Sequence, residues 1–107
     1  MIEIKILNTS DGKIHGFTIS GHSGYAEFGK DIVCAAVSSV AYMVANTLTD
    51  ILNVDASVKV DECGNMSVKI GDKYISSCEV LLNGFKFHAT LLEEQYPENL
   101  KVDYMEV

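Results

Sequence analysis

The chain has 107 residues, enough for one domain that buries about two thirds of the surface its unfolded form exposes. Its composition is 48% hydrophobic, and we predict a single domain over residues 1–107. The formal net charge is −7 and all eight basic residues are lysines, a composition that argues against direct binding of DNA or RNA. It favours a basic protein partner, because opposite net charges raise the encounter rate.

The cysteine count and the absence of common motifs limit the chemistry further. Cys34, Cys63 and Cys78 are odd in number and lack CxxC spacing, which argues against a disulfide framework and a structural zinc site. The sequence has no phosphate-binding loop, dinucleotide motif or metal-ligand pattern, so no cofactor is expected. Residues 1–7 alternate in polarity, unlike a secretory signal, and polar residues interrupt the apolar stretch 32–52. We therefore expect a cytoplasmic protein without membrane contact.

The amino-terminal half predicts two strands, a loop and a helix. Apolar residues alternate with polar ones over residues 2–8 and 13–20, on either side of a Ser-Asp-Gly turn, and predict a hairpin. Three glycines within residues 21–30 predict a loop that is poorly ordered without substrate. Asp31 is a typical N-cap, and apolar residues spaced by three and four predict a helix from there to Leu52.

The carboxy-terminal half predicts a second hairpin, a helix and a final strand. Apolar residues over 56–62 and 65–70 flank a Cys-Gly-Asn turn. An S-x-x-E capping box beginning at Ser76 predicts a helix that ends before Pro97, and residues 100–106 predict a strand. The order strand-strand-helix-strand-strand-helix-strand predicts an α+β two-layer sandwich, in which one mixed sheet is backed by two helices.

Cys34 and His22 are the candidates for catalysis. With Asp31 as N-cap, Cys34 falls in the first helical turn, where unpaired backbone N–H groups favour a negative sulfur and offer donors for an oxyanion. His22 follows the second strand, at the same end of a sandwich as the helix start, and can act as a base toward the thiol. The alternative is that Cys34 is a small buried hydrophobic residue and His22 an ordinary loop residue.

The segment that contains both residues carries a family resemblance. Residues 21–38 read G-H-S-G-Y-A-E-F-G-K-D-I-V-C-A-A-V-S, which resembles the G-H-x-x-Y-A-x-x-G-x-D-I-V-C-A-A-V-S signature of the ribosomal-processing cysteine proteases called Prp. The resemblance implies that Cys34 is the nucleophile and His22 its base. It also implies a homodimer and a substrate, the basic twenty-seventh protein of the bacterial large ribosomal subunit, from which an N-terminal extension is removed.

Other motif residues have two interpretations each. Asp31 either caps the helix or orients His22 as a third catalytic residue, and the cap is favoured because the helix N–H groups already occupy its side chain. Ser38, one turn after Cys34, either lines the substrate pocket or permits close packing. The loop residues expected to hold the substrate peptide are Gly21, Gly24, Tyr25, Phe28 and Gly29. The alternative for the two aromatic residues is that they anchor the loop to the core.

Two further functions compete with an endopeptidase. One is a non-catalytic module that binds a ribosomal or assembly partner through the same substrate pocket. The other is a redox-sensing thiol, although no second cysteine lies near Cys34 in sequence.

The second helix has apolar residues outside the stripe that faces the core, and a dimer partner would cover them. They are Val80, Phe87 and Leu91.

Overall fold

The computed structural model describes residues 1–22, 24 and 31–107. In this part of the chain, five strands form one sheet, and two long helices share an apolar core with it. In chain order the elements are β1 (Ile2–Asn8), β2 (Ile14–Ser20), α1 (Ile32–Asn46), β3 (Ala56–Val60), β4 (Met66–Ile70), α2 (Glu79–Gln95) and β5 (Leu100–Glu106). The predicted element order and the α+β class are confirmed.

The sheet is mixed and has the strand order β3-β4-β2-β1-β5. The β1–β5 pair is parallel, and the other neighbouring pairs are antiparallel. Ser20 at the end of β2 pairs with Glu3 near the start of β1, and Ile19 pairs with Met66 at the start of β4. The end of β2 and the turn between β3 and β4 therefore lie at the same end of the sheet.

One apolar core lies between the sheet and the helices. Ile2, Ile4 and Ile6 of β1 are buried in it, as the period-two pattern predicted. The rings of Phe17 on β2 and Phe85 on α2 stack with their centroids 4.0 Å apart and join helix to sheet. The buried residues of α1, which follow a helical spacing, are Val33, Val37, Ala41, Val44 and Ala45.

β2 and β4 approach each other closely at Gly16, which pairs with Lys69. A Cβ on Gly16 would lie 2.1 Å from the Val68 carbonyl oxygen. Gly16→Ala is therefore expected to force the strands apart and to lower the free energy of unfolding by about 1–3 kcal/mol in urea denaturation. In the control Gly71→Ala, the new Cβ comes no closer than 3.9 Å to the Tyr74 ring and φ is −74°, so the free energy of unfolding should rise by about 0.4–1 kcal/mol. Equal effects of the two changes would contradict the close approach.

The α-helical geometry of α1 ends earlier than predicted. Instead of continuing to Leu52, the chain forms a π-helical turn, Thr47–Ile51, after which the Leu52 N–H donates to the Thr47 carbonyl oxygen at 2.8 Å. The Thr47 hydroxyl donates to the Met43 carbonyl oxygen at 2.7 Å. The Thr47 backbone N–H also donates to the Met43 carbonyl oxygen, so the α-helical ladder continues up to the residue where the π-helical turn begins.

The capping box predicted at Ser76 is wrong. α2 begins at Glu79, its N-cap position is Cys78, and no side-chain hydrogen bond is made there. Cys78 is fully buried, and its N–H donates to the carbonyl oxygen of Tyr74 at 3.1 Å, at the end of the short 3₁₀ turn Asp72–Tyr74. Because the chain is already turning before Glu79, core packing of Cys78 fixes the helix start in place of a side-chain cap.

The helical segment Ile32–Ile51 is, among the described residues, long and apolar enough to cross a membrane, with a mean hydropathy of 1.6. The polar interruptions noted in the sequence therefore do not rule out a span by composition alone. In the structure, one face of this segment is buried against the sheet, with Val33, Val37 and Leu48 at most 1% exposed. Core helices of globular proteins meet the same length and hydropathy test.

Candidate active site

Asp31 caps α1 and fixes the backbone around Cys34. Its Oδ1 accepts hydrogen bonds from the Val33 N–H at 2.9 Å and the Cys34 N–H at 3.0 Å, so the predicted cap is confirmed. The Ala35 N–H donates to the Asp31 carbonyl oxygen at 3.0 Å. Because these first-turn N–H groups already have acceptors, the expectation that they serve an oxyanion does not hold for Val33, Cys34 and Ala35.

A cleft of about 80 Å³ brings the two predicted catalytic residues together. His22 is exposed and Cys34 is partly buried, so both side chains border space that solvent reaches. Ile19, Ile2 and Val37 supply apolar lining. The remaining lining residues come from three segments and are Gly21 and His22 after β2, Cys34 and Ser38 on α1, and Cys63 and Gly64 in the β3–β4 turn.

Gly21 sets the direction in which the chain leaves β2. Its φ is +82°, a left-handed conformation that glycine adopts without strain. A Cβ on Gly21 would lie 2.4 Å from the Met1 carbonyl oxygen, so a side chain has no room there. The Gly21 N–H donates to the side-chain Oδ1 of Asn65 at 3.1 Å. Gly21, the residue before His22, is therefore hydrogen-bonded to the β3–β4 turn and packed closely against the backbone that precedes β1.

The β3–β4 turn, residues 61–65, is organised by the carboxylate of Asp61. Its Oδ1 accepts hydrogen bonds from the backbone N–H of Cys63 at 2.8 Å and of Asn65 at 3.0 Å. Its Oδ2 accepts from the Asn65 side-chain Nδ2 at 2.9 Å. The hydrogen bond from the Asn65 side chain, followed by those from the backbone, holds the pKa of Asp61 below its ordinary value of 3.8.

This shift in the pKa of Asp61 predicts a pH-dependent contribution to stability. A carboxyl group whose pKa is lower in the folded state contributes stability above its unfolded pKa, and the contribution is lost as pH falls through the folded pKa. Wild type is therefore expected to unfold at a higher urea concentration than Asp61→Asn at pH 7, with the difference shrinking below pH about 4. Asp55→Asn removes an equal charge from an exposed position as a control. A difference that does not change with pH would contradict the assignment.

Sequence reasoning missed the contribution of the β3–β4 turn to the cleft. The available signal was local: Asp61 followed by Gly64 and Asn65 is typical of a turn closed by an Asp side chain. Nothing local indicated that this turn faces Cys34. Cys63 is exposed and borders the same cleft, so an experiment that labels Cys34 must identify which of the two cysteines carries the label.

The other predicted site residues divide between described and undescribed positions. Gly24 is exposed with φ +71°. Tyr25, Phe28 and Gly29 lie outside the described residues, and so does most of the loop whose order was predicted. Outside the predicted set, His15 lies at the opposite end of β2 from the cleft, with its Nε2 2.9 Å from Asp72 Oδ1. The described residues contain no group of three or more His, Cys, Asp or Glu placed to hold a metal ion.

The fold and the cleft together point to a class of protein. A cysteine in the first turn of a helix, with a histidine in the same accessible cleft, is the arrangement of thiol hydrolases, in which the imidazole takes the thiol proton. A family model described as cysteine protease Prp matches residues 1–101. The chain therefore belongs to the Prp family of cysteine proteases, as the motif over residues 21–38 predicted.

Relatives in this family match the chain from end to end. The ribosomal processing cysteine protease Prp of Staphylococcus aureus is 26% identical over 105 residues, covering 97% of this chain and 99% of that protein. The protein of the same name from Bacillus subtilis is 25% identical over 107 residues, covering 95% of this chain and 96% of that protein.

Solved structures share the same architecture. The S. aureus Prp crystal structure with a covalently linked product peptide matches at a TM-score of 0.90 and 25% identity, over 98% of this chain and 100% of that chain. The crystal structure of SMU.848 from Streptococcus mutans matches at a TM-score of 0.83 and 28% identity, over 100% of this chain and 96% of that chain. The mixed sheet with two helices is thus the fold of Prp structures.

Proposed function

We propose that this chain is a cytoplasmic cysteine endopeptidase that removes the N-terminal extension of the twenty-seventh large-subunit ribosomal protein and so supports ribosome assembly. The observation that carries the proposal is the cleft shared by Cys34 and His22. Two relatives are named ribosomal processing cysteine proteases. The net charge of −7 also favours a basic substrate over nucleic acid.

The proposed reaction uses the two residues in turn. The His22 imidazole takes the proton of the Cys34 thiol, and the sulfur attacks the carbonyl carbon of the scissile peptide bond. The imidazolium then gives its proton to the departing amine nitrogen, so that the C–N bond breaks and a thioester to Cys34 remains. A water molecule, deprotonated by His22, attacks the thioester and releases the second product with the free thiol.

Neighbouring residues support this chemistry in separate ways. Asp31 acts as the helix cap, because its Oδ1 holds two N–H groups of the first turn. Ser38 is exposed and borders the cleft one turn after Cys34, where it contacts the peptide. The loop over residues 21–30 binds the substrate peptide, and the residues proposed for this contact are Gly21, Gly24, Tyr25, Phe28 and Gly29.

The enzyme is further proposed to act as a homodimer that forms through α2. Val80 is 88% exposed and Phe87 is 67% exposed, although both are large apolar residues. Phe87→Ser is expected to shift sedimentation from dimer to monomer, because it removes apolar surface from the contact. Lys13→Ser, in the turn between β1 and β2, is the control and should leave the dimer intact. A wild-type chain that sediments as a monomer would contradict the proposed dimer.

The substrate assignment is tested with the ribosomal protein itself. The chain is incubated with the twenty-seventh large-subunit protein carrying its extension, and the products are identified by mass spectrometry. Two fragments whose masses sum to the substrate plus one water are expected, and the protein lacking the extension should remain uncut. Tight binding of the extended protein without any cleavage would contradict the endopeptidase and favour the non-catalytic binding module.

A further inference from the structure

Asn65 connects two segments of the cleft that lie 44 residues apart in sequence. Its Oδ1 accepts the Gly21 N–H at 3.1 Å, immediately before His22. Asn65 is partly buried, and the pairing of Ile19 with Met66 brings it opposite the end of β2. The contact is therefore set by the sheet register and does not depend on a chance meeting of two surface groups.

The Asn65 amide has a defined orientation. An asparagine side chain can present either its oxygen or its nitrogen to a neighbour, and the hydrogen-bond network decides which. The Asp61 carboxylate accepts from Nδ2 at 2.9 Å, which requires the amide nitrogen to face Asp61. The amide oxygen is then directed at the Gly21 N–H. Asp61 thus fixes the orientation that Asn65 needs in order to hold Gly21.

Gly21 has little freedom to move once this bond is made. Its left-handed φ of +82° turns the chain at the end of β2, and the Met1 carbonyl oxygen occupies the space a side chain would take. The hydrogen bond from the Gly21 N–H to Asn65 Oδ1 restrains the Gly21 backbone further. The direction of the chain at His22 follows from the geometry of Gly21, since the two are consecutive.

We propose that Asn65 is a positioning residue for His22, acting through the Gly21 backbone and held in its working orientation by Asp61. The inference rests on the proposed role of His22 as the base. Asn65 does not touch the reacting atoms; it keeps the imidazole within reach of the Cys34 thiol. A misplacement of about 1 Å at a catalytic group is enough to lower a rate by roughly 100-fold.

Single substitutions should break this arrangement in two different ways. Asn65→Asp places a carboxylate oxygen where the amide nitrogen donated to Asp61, so the two carboxylates repel each other. Asp61→Asn, with its oxygen still facing the backbone N–H groups of the turn, places an amide nitrogen against the Asn65 amide nitrogen. Asn65 can then bond either to residue 61 or to the Gly21 N–H, but not to both. Each substitution is expected to lower kcat for peptide cleavage by about 10- to 100-fold with a KM changed less than about threefold. Asn46→Ala, at the far end of α1, is the control for loss of an exposed amide and should leave kcat unchanged.

The exchanged double variant Asp61→Asn with Asn65→Asp provides the decisive comparison. The amide introduced at position 61 donates to one carboxylate oxygen at position 65, and the other oxygen accepts the Gly21 N–H, so the full pattern returns. kcat should recover to within about threefold of wild type, a rescue not expected from a general loss of stability. Far-UV circular dichroism and thermal melting identify variants that fail to fold, and the folded ones are compared.

Three outcomes separate failure of this inference from failure of the proposed function. If His22→Ala is inactive while folded Asn65→Asp and Asp61→Asn both keep wild-type kcat, the positioning role is wrong and the dyad stands. A double variant as slow as the single ones also overturns the positioning role. If His22→Ala cleaves the peptide as fast as wild type, the proposed base is wrong, and the positioning role falls with it.

Discussion

Replacing Cys34 with alanine is expected to lower kcat for peptide cleavage by about 10³-fold or more, because the variant has no sulfur to form the thioester. Cys34 is only partly buried, and alanine suits the helix, so the change in folding free energy should stay small. Binding of the substrate peptide should persist, since the cleft walls on the β3–β4 turn and β2 remain in place.

The matched variant is Cys63→Ala, which removes the other thiol that borders the cleft. It should retain turnover, because Cys63 lies in an exposed turn and not at the start of a helix. The measurement is initial rate against peptide concentration for both variants, with circular dichroism as a check of folding. Turnover by Cys34→Ala that matches wild type would show that another group performs the attack.

Replacing Phe85 with alanine is expected to lower the free energy of unfolding by about 3–5 kcal/mol. Phe85 is 2% exposed and stacks on Phe17 at 4.0 Å between centroids. The substitution removes most of a buried ring, leaves a cavity between α2 and the sheet, and deletes the aromatic pair. For a domain whose total stability is about 5–15 kcal/mol, this is a large share.

Urea denaturation of Phe85→Ala measures this loss, with His88→Ala as the control on the same helix. His88 is exposed, so its replacement should change the free energy of unfolding by less than about 0.5 kcal/mol. Similar midpoints for the two variants would mean that the Phe17–Phe85 stack does not join α2 to the sheet.

Elements with a regular apolar pattern could be predicted from the sequence. Alternation over residues 2–8 located β1 at its observed position, because Ile2, Ile4 and Ile6 on one face are buried in the core. Asp31 could be recognised as a cap from its identity and place before an apolar helix. In each case the physical cause acts within a few residues of the chain.

Features that depend on competition between contacts could not be predicted in this way. Apolar spacing does not report which backbone carbonyl each N–H reaches, so the change to a π-helical turn at Thr47 could not be read from it. Ser76 fits a capping-box pattern, but burial of Cys78 and the preceding turn start α2 two residues later than that pattern predicts. Local propensity was overridden by packing at this site.

In the candidate site too, some residues could be predicted from a local motif, and others depend on contacts between distant parts of the chain. The motif over residues 21–38 named Cys34 and His22, and the structure places both in one cleft. The role of Asn65 could not be predicted, because its hydrogen bond to Gly21 joins residues 44 positions apart and depends on the register between β2 and β4. The structure adds which first-turn N–H groups the predicted Asp31 cap holds, namely those of Val33 and Cys34.

Whether Cys34 is the nucleophile is tested most directly by trapping it. A peptide with the sequence of the removed extension, ending in a chloromethyl ketone at the cleaved carbonyl, forms a thioether with an attacking thiolate. After digestion, mass spectrometry is predicted to find one label per chain, on the fragment that contains Cys34, with labelling strongly reduced in His22→Ala. Label on Cys63 or Cys78 with Cys34 unmodified would contradict the assignment.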